Sequence, residues 1–398
     1  MLAPGMSAEE ANDALTRLIG ADALARLDAP LGEAAGLPNA AFTSEAFFAL
    51  EQARLFARTW LLAGFAHQIP DAGDIVPVEV AGAPVILVRA TDGGVRGFHN
   101  VCRHRGARLV SEPCAARHDI VCPYHAWTYD LDGRLVARPY FGGKEAAEQD
   151  LPASPGIALA PVRTARWLDL IFVDLSGRAA PLDDHLAPVT ARLDGYDLST
   201  LRHAGSLAFD VAANWKFACE NFIETYHVFS AHPGLARFAP MKQRSAGGHE
   251  AACFFNEYRF VAPEAGRGTG LPHYPGLADD KRDRGAWFLL FPTLGIEIWP
   301  DQFTLFRVIP EAPEHTREEI HVYLMGEAAT APAYADARAE VLEMWRALNA
   351  EDIGLLENLQ AGRRSPGYDG GLYSPAWEEP VRHFARLVVR SILEEPGP

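Results

Sequence analysis

The feature that most constrains the fold of this chain is a pair of short loops, each carrying one cysteine and one histidine. Cys102 and His104 have one residue between them, and Cys122 and His125 have two. Seventeen residues separate the loops, and short β-like runs surround both. Paired short loops with cysteine and histidine are typical of metal sites in chains that lack a disulfide framework. We therefore predict a β-rich metal-binding domain over residues 61–160.

The mixture of ligands favours one kind of metal site. A [2Fe–2S] cluster that is held by two cysteines on one iron and two histidines on the other needs this donor set. In this interpretation Cys102 and Cys122 bind one iron, and His104 and His125 bind the other. The alternative, a structural zinc site, usually takes both cysteines from one loop and both histidines from another. Cys114 lies between the loops and is interpreted as a buried or half-exposed thiol.

A second histidine pair lies in the segment NWKFACENFIETYHVFSAHP, residues 214–233. His227 and His232 are five residues apart near the end of a predicted helix. On a straight helix five residues turn about 140° beyond a full circle, so the two imidazoles could not meet one ion. We expect the chain to bend or unwind between them, and Pro233 is consistent with the helix ending there. Glu224, three residues before His227, is expected on the same face.

Two histidines need a carboxylate to complete the facial triad that suits iron(II) and leaves positions open for oxygen. The segment AEDIGLLENLQ of a long predicted helix offers Glu351, Asp352 and Glu357. Spacing does not choose among these three acids.

Composition restricts the function class. The chain has 36 Lys and Arg against 52 Asp and Glu, a net charge of −16, which argues against nucleic acid or an anionic membrane as a partner. Five cysteines in 398 residues do not form a disulfide framework. Acidic residues near the start replace the basic and apolar residues of a secretory signal. A cytoplasmic enzyme of about two domains is expected.

Hydrophobic periodicity predicts helices on both sides of the β-rich stretch, over residues 8–28 with a break at Gly20, 44–60, 214–229, 333–361 and 378–393. Strands are predicted over 74–80, 85–90, 94–99, 129–135 with a turn at Asp132-Gly133, 168–175, 252–260, 286–298, 303–309 and 318–325. The strand at 168–175 is expected to begin a second domain. The predicted division is N-terminal helices 1–60 packing on the catalytic domain, a cluster domain 61–160 and a catalytic domain 161–398.

With both motifs in view, the sequence resembles a known family. CRHRG and CPYHAW resemble the Rieske signature of ring-hydroxylating oxygenase α-subunits, and the segment 214–233 resembles their catalytic-iron motif. The likeness runs from about Phe47 to the C-terminus. It implies an α+β fold, with a β-rich Rieske [2Fe–2S] domain and a helix-grip-like catalytic domain whose antiparallel sheet is covered by helices.

The resemblance also implies roles for single residues. Asp352 would complete a mononuclear iron(II) site with His227 and His232, and Asn221 would lie beside the iron. Glu224 matches an acidic bridge that links a cluster histidine of one protomer to an iron histidine of the next, and the family is usually a homotrimer for this reason. A carboxylate there could accept a hydrogen bond from an imidazole on each side.

The implied activity is that of a Rieske mono- or dioxygenase, which uses O2 and electrons from NAD(P)H to oxidise a small organic substrate. The sequence has no strand–GxGxxG–helix unit and no plant-type four-cysteine motif. A separate reductase, with or without a ferredoxin, is therefore expected to supply the electrons. The remote alternative is a non-catalytic electron carrier, which would need only a cluster domain of roughly 100 residues.

Two departures from the family pattern bear on the loop and the substrate. Ala126 stands where the family commonly has glycine, and Glu224 stands where many aromatic-ring dioxygenases have aspartate. In having a glutamate at this position, the sequence resembles the carnitine and glycine betaine oxygenases. The first expectation is therefore N-demethylation or C–N cleavage of a quaternary ammonium or N-methyl compound. Aromatic faces would surround such a cation, and the candidates are Phe222, Tyr226, Trp287, Phe288, Trp299 and Phe303. The alternative is an aromatic acid, hydroxylated or O-demethylated, paired by Arg307 or Arg259.

Overall fold

The computed structural model describes residues 6–144, 156–234, 240–260, 270–368 and 370–394. Backbone contacts divide the chain into two compact units. Phe56–Leu182 carry both cysteine–histidine loops and are called the cluster unit. Met1–Leu55 and Asp183–Glu395 carry the second histidine pair and are called the triad unit, so the described helices before Phe56 belong with the catalytic part of the chain.

Two antiparallel sheets form the cluster unit. Its described strands are β1 Leu61–Phe65, β2 Ile75–Val80, β3 Ala83–Arg89, β4 Val95–His99, β5 Asp119–Val121, β6 Thr128–Asp130, β7 Leu135–Ala137, β8 Pro161–Trp167 and β9 Leu170–Asp174. One sheet has the order β1-β9-β8-β4-β3-β2, and β5, β6 and β7 form the other. The first cysteine–histidine loop follows β4 and the second connects β5 to β6. The predicted turn at Asp132-Gly133 lies between β6 and β7.

The boundary after the cluster unit lies later than predicted. We expected residues 168–175 to begin the second domain, with the division near residue 160. In the structure β9 pairs with both β1 and β8, so this strand completes the first sheet and the unit extends to Leu182. The composition of a buried strand does not reveal which sheet it joins, because strand pairing depends on cross-strand neighbours distant in sequence.

A seven-stranded antiparallel sheet forms the centre of the triad unit, with the order β10-β16-β15-β14-β13-β12-β11. Its strands are β10 Leu201–Val211, β11 Gly248–Glu250, β12 Cys253–Arg259, β13 Arg284–Leu290, β14 Leu294–Trp299, β15 Gln302–Ala312 and β16 His315–Met325. The single strand predicted over 286–298 is in fact two, because the chain reverses between β13 and β14. The sequence does not predict β10, in which only two of eleven residues are buried.

The described helices are α1 Ala8–Ile19, α2 Ala21–Asp28, α3 Ala40–Thr43, α4 Glu45–Leu50, α5 Leu182–Arg192, α6 Trp215–Ile223, α7 Val228–Ala231, α8 Ala335–Gly362 and α9 Glu379–Leu393. Gly20 separates α1 from α2, as predicted, and Ser44 caps α4 by accepting a hydrogen bond from the amide of Phe47. Val341 and Trp345 of α8 pack against the apolar face of β16. None of these helices is long and apolar enough to cross a membrane.

Candidate active site

The two loops of the cluster unit present their thiols and imidazoles in different environments. Cys102 and Cys122 are buried in one hydrophobic core and are only 2% and 3% exposed. The rings of His104 and His125 meet edge to face with centroids 4.8 Å apart, and the His125 residue is exposed. The indole of Trp127 stacks on His104 at 4.7 Å. Two buried sulfurs and two outer imidazoles fit a Rieske cluster, in which two cysteines bind one iron and two histidines bind the other.

Both loops close with the same pair of backbone hydrogen bonds. The Cys102 amide donates to Ala107 and the Gly106 amide donates to Cys102, while Cys122 and Ala126 repeat the pattern in the second loop. The fifth residue of each loop is left-handed, with φ of +75° at Gly106 and +54° at Ala126. A side chain is disfavoured in this conformation. The family's usual glycine is therefore explained by the backbone, and the alanine here is held in a costly conformation.

Cys114 is separate from this arrangement. Its backbone pairs with Ile75 through two hydrogen bonds of 2.8 and 2.9 Å, and its thiol is only partly buried. The described contacts assign it no metal-binding role.

His227, His232 and Asp352 come together in the triad unit. One possible ligand atom from each lies within 4.8 Å of the others, and this is the one such group of three among the described residues. Asp352 Oδ1 is 2.9 Å from His232 Nε2 and 3.7 Å from His227 Nε2. The rings meet at an interplanar angle of 77°. Two imidazole nitrogens and one carboxylate oxygen converging on a cavity fit a facial iron(II) triad with open positions.

The chain path between the histidines differs in detail from the prediction. We expected a bend between His227 and His232, but α6 already ends at Ile223, and Glu224, which follows it, has an extended backbone. The single turn α7 then separates the two histidines, which stand at its two ends. His232 leaves helical geometry, with φ of −122° and ψ of +75°. Ending the helix early removes the angular mismatch that five helical residues would impose.

Carboxylates hold the far nitrogen of each histidine. Glu224 Oε1 lies 2.5 Å from His227 Nδ1, and Glu351 Oε2 lies 2.6 Å from His232 Nδ1. Glu224 also accepts hydrogen bonds from the amides of Tyr226 and His227. Such contacts fix the tautomer and orientation of a ligand imidazole.

The three acids among which spacing does not choose occupy three different positions. Asp352 faces the histidines, and Asn221 donates a hydrogen bond of 3.1 Å to its Oδ1. Glu351 contacts the outer side of His232. Glu357 accepts a hydrogen bond from the amide of Ala212 at 3.1 Å. The geometry therefore selects Asp352 as the candidate third ligand.

Helix α8 is also fastened to the start of α6. Gln360 Oε1 accepts a hydrogen bond from the Asn214 amide at 2.9 Å, while the Gln360 side-chain amide donates to the carbonyl of Phe42. Asn214 caps α6 by accepting a hydrogen bond from the amide of Lys216. The buried Lys216 ammonium pairs with Glu51 at 2.6 Å. These contacts connect α8, which bears Asp352, to α6 and the N-terminal segment, so the triad depends on chain segments far apart in sequence.

The triad opens into a cavity with aromatic walls. Phe222, Trp287 and Trp299, three of the predicted cation-binding candidates, line it. Phe288 and Phe303 are instead 1% exposed in the core and do not line it. Tyr226 lies outside the lining and is 44% exposed. The cavity also contains aromatic residues that the sequence analysis did not single out, namely Tyr258, Phe306 and Trp345.

Gly295 permits the close packing of aromatic rings in the cavity wall. A Cβ atom at Gly295 would lie 2.9 Å from atoms of both Phe222 and Phe306. The ring of Phe306 packs against Phe222 at 5.0 Å and against Trp345 at 5.1 Å. These three aromatic rings thus form one wall near the triad, because Phe222 follows Asn221 in α6 and Trp345 precedes Asp352 in α8.

Of the two predicted arginines, one lines the cavity. Arg307 lies there and forms an ion pair with Glu319 at 3.1 Å. Arg259 lies outside the lining, with a 63% exposed side chain 3.7 Å from Asp283. Arg244, which the sequence analysis missed, also lines the cavity, with its guanidinium 5.7 Å from the ring centre of Tyr258.

Glu297 and Glu318 place two further carboxylates in the lining. Glu297 accepts hydrogen bonds from Tyr258 at 3.1 Å and Trp299 at 2.6 Å. Glu318 accepts one from Asn349 at 2.9 Å. Burial raises the pKa of Glu318 to about 7; the Asn349 hydrogen bond opposes this shift and the nearby Asp352 charge adds to it. Strand alternation could have found Glu318, since it shares a face with buried Ile320 and Val322.

Known protein families match both units. A model of the Rieske [2Fe-2S] domain matches residues 59–151, and a model of the ring hydroxylating alpha subunit catalytic domain matches residues 198–394. The chain belongs to the Rieske oxygenase α-subunit family. The oxygenase therefore combines a Rieske [2Fe–2S] domain with a mononuclear iron catalytic domain, as the resemblance implied.

Sequence relatives extend over most of the oxygenase. It is 29% identical to the glycine betaine monooxygenase oxygenase subunit of Pseudomonas aeruginosa, over 91% of this chain and 90% of the relative. It is also 29% identical to the carnitine monooxygenase oxygenase subunit of Escherichia coli, over 85% of this chain and 87% of the relative.

Solved structures share the fold at lower identity. The quaternary ammonium Rieske monooxygenase CntA in complex with L-carnitine has a TM-score of 0.73 at 24% identity, over 90% of this chain and 96% of that one. Naphthalene 1,2-dioxygenase from Rhodococcus sp. has a TM-score of 0.72 at 21% identity, over 98% of this chain and 99% of that one. The same fold thus occurs in a carnitine complex and in a naphthalene dioxygenase. The fold alone therefore does not identify a substrate, and the residues that line the cavity must be considered.

Proposed function

We propose that the oxygenase oxidises an N-methyl carbon of a small quaternary ammonium compound, which leads to N-demethylation or C–N cleavage. Demethylation would convert the quaternary ammonium substrate, O2, two electrons and one proton into the tertiary amine, formaldehyde and water. The observation that carries this proposal is the cavity, in which aromatic faces and carboxylates surround the triad. Aromatic faces attract a cation that cannot donate hydrogen bonds.

Each side chain of the site has a distinct proposed task. Cys102, His104, Cys122 and His125 would hold the cluster, and His227, His232 and Asp352 would hold the iron. When bound, the cluster supplies electrons and the iron activates O2. Asn221 orients Asp352 through their hydrogen bond of 3.1 Å. Glu224 orients His227 and is the proposed bridge to a cluster histidine of another protomer, since it is the carboxylate in contact with the outer nitrogen of that ligand.

Exposed aromatic residues support an assembly in which such a bridge could form. In the cluster unit Tyr124, Tyr140 and Phe141 are 59%, 81% and 53% exposed. In the triad unit Tyr226 and Phe229, next to His227 and His232, are 44% and 56% exposed. Large exposed aromatic groups beside a site are typical of protein interfaces. We propose a homotrimer, supplied by a separate reductase; a cytoplasmic location stays a prediction from the sequence.

An aromatic acid is the second candidate substrate. Arg244 favours it, because an arginine in the lining can pair with a carboxylate. Arg307 also lines the cavity and pairs with Glu319 at 3.1 Å. The same Arg244 would also fit the carboxylate of a betaine, so this residue favours acids of both kinds.

A single-turnover assay tests the proposal. The pre-reduced holoenzyme is mixed with O2 and with one of two substrate pools, N-methyl ammonium compounds or methoxy and unsubstituted aromatic acids, and products are identified by mass spectrometry. We expect a demethylated or cleaved amine from the first pool. Product from the aromatic pool alone would overturn the substrate proposal while keeping the enzyme class. Asp352→Ala serves as the negative control and should yield neither product.

A further inference from the structure

The acids of the cavity differ in what balances their charge. Glu297 accepts two hydrogen bonds, and Arg244 interacts with it electrostatically. Glu319 is paired with Arg307 and Arg317. These carboxylates already have a positive neighbour within the protein.

Glu318 has no such neighbour among the described residues. It is 8% exposed, and among the described residues its side chain accepts a hydrogen bond from the neutral amide of Asn349. No described lysine, arginine or histidine forms an ion pair with it. The charged group that acts on its carboxylate is Asp352, which is also negative. Burying a carboxylate without a cation is costly. A carboxylate kept in this position therefore suits a ligand that brings the positive charge with it.

The surroundings of Glu318 would place the positive charge of such a ligand near the triad. Asn349, which holds Glu318, lies three residues before Asp352 on α8, hence on the same face of the helix. Val308, the cross-strand partner of Glu318 on β15, lines the same cavity. The rings of Phe222, Phe306 and Trp345 form the nearby aromatic wall. An N-methyl group must approach the triad to react, so its ammonium centre would lie at this end.

We propose that Glu318 is the counter-charge that recognises the cationic head of the substrate, with the Phe222, Phe306 and Trp345 rings as the apolar part of the same subsite. This inference rests on the proposed function and makes it more specific. It assigns cation recognition to Glu318 and the three rings, and leaves Arg244 to the carboxylate of a betaine. An alternative role for Glu318 is to balance the charge of the iron.

Binding of two matched probes separates these roles. Glycine betaine and 3,3-dimethylbutanoate have the same carboxylate and nearly the same shape, and differ by a quaternary nitrogen against a quaternary carbon. Isothermal titration calorimetry on the anaerobic holoenzyme gives the ratio of their dissociation constants. We expect the wild type to bind glycine betaine more tightly, and Glu318→Gln to reduce that preference by about tenfold or more. Glu297→Gln is the matched control and should retain the preference.

Each result has a distinct meaning. If Glu318→Gln keeps the wild-type preference for glycine betaine, the proposed role of Glu318 is overturned. This includes equal weakening of both probes, which is the result expected for a residue that balances the charge of the iron. A preference lost in Glu297→Gln but kept in Glu318→Gln would overturn it as well and assign the task to Glu297. A wild type without any preference would reject the proposed function itself. If Glu318→Gln does not fold, Glu318→Met replaces the carboxylate with an apolar group of similar volume and carries the same expectation.

Discussion

The candidate cluster loops and the candidate iron triad bring their metal-binding side chains together in opposite ways. All four candidate cluster ligands lie between residues 102 and 125, on loops at the ends of paired strands. The triad joins His227 and His232 to Asp352, which is 120 residues beyond His232. Its geometry depends on α6, α8 and the N-terminal segment around Glu51. A site built from neighbouring loops depends mainly on its own turns, whereas a site assembled from distant helices depends on the packing of the whole unit.

The largest expected effect tests the assembled site. Asp352→Ala should lower iron affinity by more than about 100-fold and abolish turnover, because a direct ligand is lost, while the cluster remains. Metal analysis and the visible spectrum of the cluster measure both effects. Glu343→Ala, at a 71% exposed position of the same helix, is the control. Unchanged iron content in Asp352→Ala would show that another residue is the third ligand.

The reciprocal change tests the local site. Cys102→Ala should remove the cluster spectrum and leave mononuclear iron bound, because the ligands of each metal lie in a separate compact unit. Cys114→Ala should leave the cluster intact, since Cys114 is outside the ligand loops. A cluster that survives in Cys102→Ala, or disappears in Cys114→Ala, would contradict the ligand assignment.

The proposed bridge predicts an effect on electron transfer rather than on metal content. Glu224→Gln should retain both metals and slow electron transfer from cluster to iron by about 10- to 100-fold, measured by rapid-quench single turnover. Glu351→Gln is a close control, because Glu351 contacts the outer nitrogen of the other iron histidine. If both variants slow the transfer equally, the effect comes from ligand orientation and Glu224 is not a specific bridge.

The connection between α6 and α8 should matter to the triad alone. Gln360→Ala leaves the buried Asn214 amide without its partner, so we expect the triad unit to lose about 1–3 kcal/mol of unfolding free energy and to bind iron more weakly. Denaturant unfolding and iron titration measure the two effects. Asn358→Ala, at an exposed position of α8, should change neither. If Gln360→Ala loses the cluster as readily as it loses iron, the two sites are less independent than their separate units indicate.

The smallest expected effect concerns the turn of the second loop. Ala126→Gly should stabilise the cluster loops by about 1 kcal/mol, because glycine adopts the left-handed conformation at little cost. Gly106→Ala is the reverse change at the equivalent position, where a Cβ has room but φ is +75°, and should destabilise by a similar amount. Thermal loss of cluster absorbance provides the comparison. The two variants should change the stability of the loops in opposite directions. A destabilising Ala126→Gly would show that the left-handed conformation of Ala126 is not costly.

The sequence by itself determined the candidate cluster ligands, both candidate iron histidines and the enzyme class. Cysteine–histidine loops and a histidine pair are contiguous patterns, so their chemistry can be read without knowing how the chain packs. It also predicted α8 and α9 closely, because their apolar periodicity is long. It did not predict β10 or the partner of β9, since those strands are defined by cross-strand pairing.

Spacing left three neighbouring acids open and the family resemblance implied Asp352, but only the tertiary structure shows which of them faces the histidines. Glu351, Asp352 and Glu357 point in different directions around α8, and only packing against α6 shows which direction leads to the triad. The same holds for Glu318, an ordinary acid in the sequence of a strand. Its significance comes from being buried beside Asn349 with no described cation to balance it. Charge balance in a cavity is a property of all the chain segments that enclose it, and no single segment contains that information.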